Sequence, residues 1–292
     1  MKRIGIIGTE NSHALEFSKL INLPDPVTGH LRYEKTRVVG VYGPDREASQ
    51  EIVDKACVEH IVEQPEDFIG RVDAVMITSR RGSVHLRYAM PFIKKGIPVF
   101  VDKPFTSDYQ EAKLLVEEAQ ERSVLLCGGS GCKYLSEVKA LQASVNHLLS
   151  QGKFITASLN FSVEMDSVYD GFFFYASHLT EIALTIFGYD IKSVRAYEKN
   201  GSVVAIARYP GFDVTLNFTK NTEMGSCILF TQQNNVYRVL DLANLFENEL
   251  DAFFDMLETG RMKLSYAQLI KPVAVMEAIL ESIKNQAEVP VR

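Results

Sequence analysis

Two side chains offer chemistry in this chain, Lys103 and His178. Lys103 sits in Asp102-Lys103-Pro104, directly after the apolar run Ile97-Pro98-Val99-Phe100-Val101. A short apolar run reads as a strand buried in a parallel sheet. Open α/β sheets bind ligands beyond the carboxyl ends of their strands. A lysine at that edge can donate a proton or orient a carbonyl, and desolvation lowers its pKa readily. His178 lies in the stretch Gly171 to Glu181, which continues through apolar residues to Phe187 and stops at Gly188, a C-cap residue. On a helix, Phe174, His178 and Glu181 fall at i, i+4 and i+7 and share one face, with Tyr175 at its border. A histidine beside a carboxylate can act as a general base near neutral pH. Taken alone, a strand-end lysine is usually a surface charge and a helical histidine usually a satisfied core residue. One candidate in each half of the chain favours function, and a cleft between domains is the expected place for it.

The elements that must position these residues follow from periodicity. Strands are expected over 3–7, 37–42, 73–77, 98–101 and 124–127, alternating with helices over 12–21, 46–56, 84–95 and 109–122. Such alternation implies a doubly wound parallel sheet with right-handed crossovers. After Tyr134 the pattern changes. A helix over 136–149 precedes strand-like runs at 154–163, 191–197, 202–208, 213–218, 226–231 and 237–240, interrupted by a helix near 172–187. Successive strands joined by turns such as Lys199-Asn200-Gly201 indicate a largely antiparallel sheet. Two helices, near 246–259 and 266–285, close the chain. The expected division is a Rossmann dinucleotide-binding domain over 1–128 and a substrate-binding and oligomerisation domain over 129–292, the last helices free to pack back on the first.

A first strand, a glycine and then a helix form the place where a dinucleotide pyrophosphate rests. The loop here is Gly8-Thr9-Glu10-Asn11-Ser12-His13. Of the glycines of a Gly-x-Gly-x-x-Gly fingerprint only Gly8 is present, and Glu10 brings an unfavourable carboxylate. Thr9, Asn11 and Ser12 still offer donors. The second strand ends at Gly43 where an acid would bind the ribose diol; Asp45 either substitutes for it or merely caps the next helix, and Arg46 is a candidate for a 2′-phosphate. Ser79 and Arg80, after the strand over 73–77, either touch cofactor phosphates or belong to a solvated loop. The topology favours NAD or NADP more strongly than the motif does.

Bulk properties exclude other classes. A net charge of −6 with no basic stripe argues against nucleic-acid binding. No apolar run is long enough to span a membrane. The basic start, Met1-Lys2-Arg3, leads into too short an apolar stretch for a signal peptide. Four cysteines in a chain of 292 residues read as reduced thiols of a cytoplasmic protein, and their spacing suggests no metal site.

Across both halves the chain resembles the Gfo/Idh/MocA family of oxidoreductases. The matching residues are Ile4–Gly8, Val72–Ile77 with His85 after it, Val101-Asp102-Lys103-Pro104 in place of the family's Glu-Lys-Pro, Phe174–Glu181 for its Asp-x-Gly-x-His-x-x-Asp stretch, and the closing Glu249–Phe253 and Thr259-Gly260. The resemblance implies a Rossmann domain plus an α/β domain with an open sheet, NAD or NADP, a sugar-like or polyol substrate, and homodimers or homotetramers built on that sheet. It implies a cofactor-proximal catalytic role for Lys103, with Asp102 beside the cofactor, and an acid–base role for His178. Departures are Phe174 for the family aspartate, Gly43 for the ribose acid, and the altered glycine loop. The leading expectation is hydride transfer to or from a secondary hydroxyl, His178 taking its proton, Lys103 polarising the carbonyl oxygen, and Tyr175 and Glu181 orienting His178 or substrate. The alternative is a non-catalytic ligand-binding or regulatory relative, favoured by Glu10 and Phe174. Retention of both Lys103 and His178 favours the enzyme.

Overall fold

The computed structural model describes every residue except Glu223. Met1–Thr106, Gln110–Gly129 and Phe246–Leu269 form one compact unit, and Ser107–Tyr109, Ser130–Leu245 and Ile270–Arg292 another.

In the first unit β1 (Lys2–Ile7), β2 (Thr36–Tyr42), β3 (His60–Ile61), β4 (Ala74–Ile77), β5 (Val99–Val101) and β6 (Leu126–Gly128) alternate with α1 (Ser12–Asn22), α2 (Arg46–Ala56), α3 (His85–Ile93) and α4 (Tyr109–Glu121). All neighbouring strands pair in parallel, in the order β3-β2-β1-β4-β5-β6. The order reverses between β1 and β4, the switch point at which doubly wound sheets bind ligands. Helices cover both faces, so β4 and β5 are wholly buried rather than alternating. Phe17 of α1 meets Phe100 of β5 edge-on at 5.8 Å, within an apolar cluster that holds Ile4, Ile6, Val38 and Met76. β3 was not expected, because two residues carry no periodicity.

The second unit begins with α5 (Ser136–Ser150), β7 (Phe154–Val163) and α6 (Phe173–Phe187), followed by β8 (Ser193–Lys199), β9 (Ser202–Tyr209), β10 (Phe212–Lys220), β11 (Gly225–Thr231) and β12 (Val236–Leu240). α7 (Leu245–Thr259) belongs to the first unit, where Leu250 and Phe253 join the apolar cluster. α8 (Tyr266–Asn285) and β13 (Val289–Pro290) end the chain. The sheet runs β12-β11-β7-β10-β9-β8-β13, antiparallel throughout except for the parallel pair β7–β10. The expected fold class, a Rossmann sheet plus an open and mainly antiparallel one, is the one observed. Strand β9 shows the alternation of a sheet with one buried face: Val203, Ala205, Ala207 and Tyr209 point inward. Cys227 is buried there too, and burial pushes its thiol up to about 12. Among the described residues no helix is long and apolar enough to cross a membrane.

Candidate active site

At the carboxyl edge of the first sheet, the loop after β1 meets the loops after β4 and β5. Gly8 has φ +111°, and a Cβ on it would lie 2.2 Å from the backbone nitrogen of Ser79. Only glycine permits that approach. Asn11 caps α1: its Oδ1 accepts the His13 N–H, and its Nδ2 donates to the Thr78 carbonyl at 2.8 Å. Ser12 is the exposed first residue of that helix. The Ser79 hydroxyl is buried with no hydrogen-bond partner among the described residues. The Arg80 N–H donates to Glu10 Oε1 at 3.3 Å, while Glu10 Oε2 is buried without a partner.

Asp102 is fully buried just beyond β5. Its Oδ2 takes Nδ1 of His13 at 2.7 Å and the Asn11 amide at 3.3 Å, and its Oδ1 takes the Lys103 N–H at 2.6 Å. Burial opposes ionisation, but His13 and Lys103 outweigh it and hold the carboxyl below the ordinary aspartate range. Lys103 itself is buried, 5% exposed. His85 bridges the Ser79 carbonyl at 2.7 Å and the Phe105 carbonyl at 3.3 Å, fixing the loops on either side of Lys103. It is a satisfied structural histidine.

The nucleotide candidates divide. Asn11 and Ser12 lie at the N-terminus of α1, with Gly8 and Ser79 at the loop crossing. Thr9 instead turns its hydroxyl to Ser49 at 2.8 Å. Asp45 caps α2, its Oδ1 accepting the N–H groups of Glu47 and Ala48. The orphaned Ser79 hydroxyl and the close backbone crossing fit the pyrophosphate of a dinucleotide. The end of β2 offers no acid for the ribose.

The second unit holds a separate buried polar cluster. Thirteen residues of α6 are buried, all but Tyr175 and Thr185, as expected of a helix that is apolar nearly all round. Gly188, at φ +91°, ends it. His178 is 8% exposed, and its Nδ1 lies 2.7 Å from the Ser130 hydroxyl and 3.5 Å from Sγ of Cys132. One turn on, Glu181 accepts the Ser130 backbone N–H at 2.6 Å and pairs with the Lys133 ammonium at 2.5 Å. Ser130 therefore contacts both members of the expected pair. Its hydroxyl already accepts the Cys132 N–H at 3.2 Å and has a second lone pair for a proton on Nδ1. The hydroxyl also carries a proton that it can donate to Nδ1, so the imidazole tautomer sets the direction of this bond. The Phe161 and Tyr175 rings lie 5.4 and 5.8 Å from the imidazole. Phe174 packs on Tyr169 and Tyr175 at 5.1 and 4.9 Å.

Sequence reasoning missed His13, Ser130 and Lys133. The rule that ligands gather beyond strand ends would have flagged Ser130, two residues after β6. Nothing local marks Lys133 as buried.

Residues 2–130 match the family described as "Oxidoreductase family, NAD-binding Rossmann fold", which is Gfo/Idh/MocA. That match is to the family the sequence resemblance implied, and the six-stranded parallel sheet has the Rossmann fold its description names. Solved structures extend the fold over the whole chain. Myo-inositol 2-dehydrogenase from Lactobacillus plantarum superposes with a TM-score of 0.81 at 15% identity, covering 100% of this chain and 99% of that one. Scyllo-inositol dehydrogenase from Lactobacillus casei, with bound NAD(H) and scyllo-inositol, gives 0.82 at 13% identity over 100% and 99%. The WlbA dehydrogenase from Bordetella pertussis, in complex with NADH and UDP-GlcNAcA, gives 0.80 at 17% identity over 100% and 99%. No curated protein matches the chain.

Proposed function

We propose that this protein is an NAD(P)-dependent oxidoreductase that moves a hydride to or from a secondary hydroxyl of a sugar, polyol or related small molecule. The observation that carries the reading is the buried imidazole of His178, anchored through Nδ1 to Ser130 at 2.7 Å. An imidazole held in place by a hydroxyl is suited to exchange a proton near neutral pH. Asn11, Ser12 and Ser79, with the Gly8 crossing, would hold the cofactor phosphates, and Lys103 would lie beside the nicotinamide. A bound nicotinamide supplies the acceptor or donor of the hydride. His178 takes the hydroxyl proton as the carbinol becomes a carbonyl, and returns it in reduction. Lys103 stabilises charge on the reacting oxygen. Glu181, fixed by Lys133, holds the Ser130 backbone and so the imidazole. Polyol-binding neighbours of the same fold support the substrate class. The thiol state of all four cysteines accords with a cytoplasmic setting.

The test is nucleotide reduction across inositols, aldoses and uronic acids, with His178→Ala and Lys103→Ala in parallel. Turnover of one substrate class, reduced by both substitutions, is the expected result. Nucleotide binding with no turnover of any such compound would favour the non-catalytic ligand-binding reading, to which the carboxylate of Glu10, buried oxygen and all, lends weight.

A further inference from the structure

Dinucleotide sites of doubly wound sheets place an acid about 20 residues beyond the glycine loop, where it binds the ribose diol. Here the end of β2 is followed by Gly43, and the room for a side chain there is already taken. A Cβ on Gly43 would lie 1.8 Å from Oγ1 of Thr9 and 2.9 Å from the Thr9 nitrogen. Thr9 is buried and cannot simply swing aside. Because the Ser49 hydroxyl donates to the Asp45 carbonyl at 2.9 Å, the Thr9 hydroxyl is the donor in its 2.8 Å bond to Ser49. The neighbouring charges are engaged as well. Asp45 holds the first N–H groups of α2, and Arg46 pairs with Glu63 at 3.1 Å.

We infer that Thr9 and Gly43 act together to delete the diol-binding carboxylate, so that the site accepts NADP alongside NAD. The inference rests on the dinucleotide-binding part of the proposed function. An acid at the end of β2 would attract the 2′-hydroxyl of NAD and repel the 2′-phosphate of NADP. Specificity is a difference between two affinities, and removing the acid removes both contributions. The flanking Asp45 and Arg46 are opposite in sign, which leaves little net preference for the phosphate.

Calorimetric titration of the full chain with NAD and with NADP, joined to thermal melts of three variants, tests this. The two dissociation constants should agree within roughly fivefold. Gly43→Asp alone should lower Tm, and adding Thr9→Ala should restore much of the loss, since contacting residues couple. The double variant should bind NAD at least about tenfold more tightly than NADP. A wild-type preference above about tenfold in either direction, an unchanged Tm for Gly43→Asp, or equal affinities in a folded double variant would overturn the inference and leave the dinucleotide reading standing. Absence of heat with either nucleotide would overturn the reading itself, and the inference with it.

Discussion

Asp102 and Glu181 are both buried carboxylates, but one answers to a histidine and the other to a lysine. Asp102 is held below the ordinary aspartate range by His13 and Lys103 against the cost of burial. A depressed carboxylate adds stability above its unfolded pKa, about 3.9, and that stability is lost as pH falls through the lower folded value. In that interval the unfolded chain binds more protons, so stability rises with pH. Denaturant titrations below pH about 4 should therefore show an acid-side loss that Asp102→Asn diminishes. Glu181 and Lys133 form a pair only 4% and 3% exposed at their side chains. Lys133→Ala leaves the carboxylate uncompensated and should cost about 3–5 kcal/mol in a melt. His178→Ala should lower turnover by roughly 10²–10⁴-fold while leaving nucleotide affinity unchanged. Ser130→Ala should lower kcat less and displace the pH profile, since its hydroxyl fixes the imidazole.

At the scale of the element, the strand–turn–helix of β1 and α1 depends on Gly8. The atom that would meet a side chain there is the backbone nitrogen of Ser79, not a flexible tip. Gly8→Ala should lower stability by roughly 1–3 kcal/mol, a drop in Tm that no side-chain movement can relieve. Helix α6 poses the opposite question. Phe174→Asp would restore the family carboxylate one turn before His178. It would also remove an aromatic ring packed on Tyr169 and Tyr175 and bury a charge in its place. The expected result is a loss of stability of about 3–5 kcal/mol, the usual cost of deleting a buried phenyl ring, with no gain in turnover. A melt beside a kinetic assay separates the two effects. The limits of α2, β7 and α8 were legible from periodicity alone, because each run is long. Strands of two or three residues, β3 and β13 among them, were not legible or only partly so.

At the scale of the whole molecule, the outer face of the second sheet carries apolar side chains. Tyr197 faces Val204 across β8 and β9, both exposed; Ile228, Tyr237 and Val239 gather on β11 and β12. Exposed apolar patches of this kind mark interfaces. Light scattering should give a mass of at least twice the 32.8 kDa of one chain. A monomer at micromolar concentration would count against self-association through this face.

Fold class, the strand-end lysine and the histidine helix were determined by the sequence itself, because periodicity and strand-end position are local properties. What surrounds those residues was not. That Asp102 binds His13, that Ser130 and Lys133 secure His178 and Glu181, and that Thr9 fills the space at Gly43 all join residues distant in the chain. In each case the deciding quantity is a distance or a degree of burial. Packing sets both, and no spacing of residue types along the chain records them.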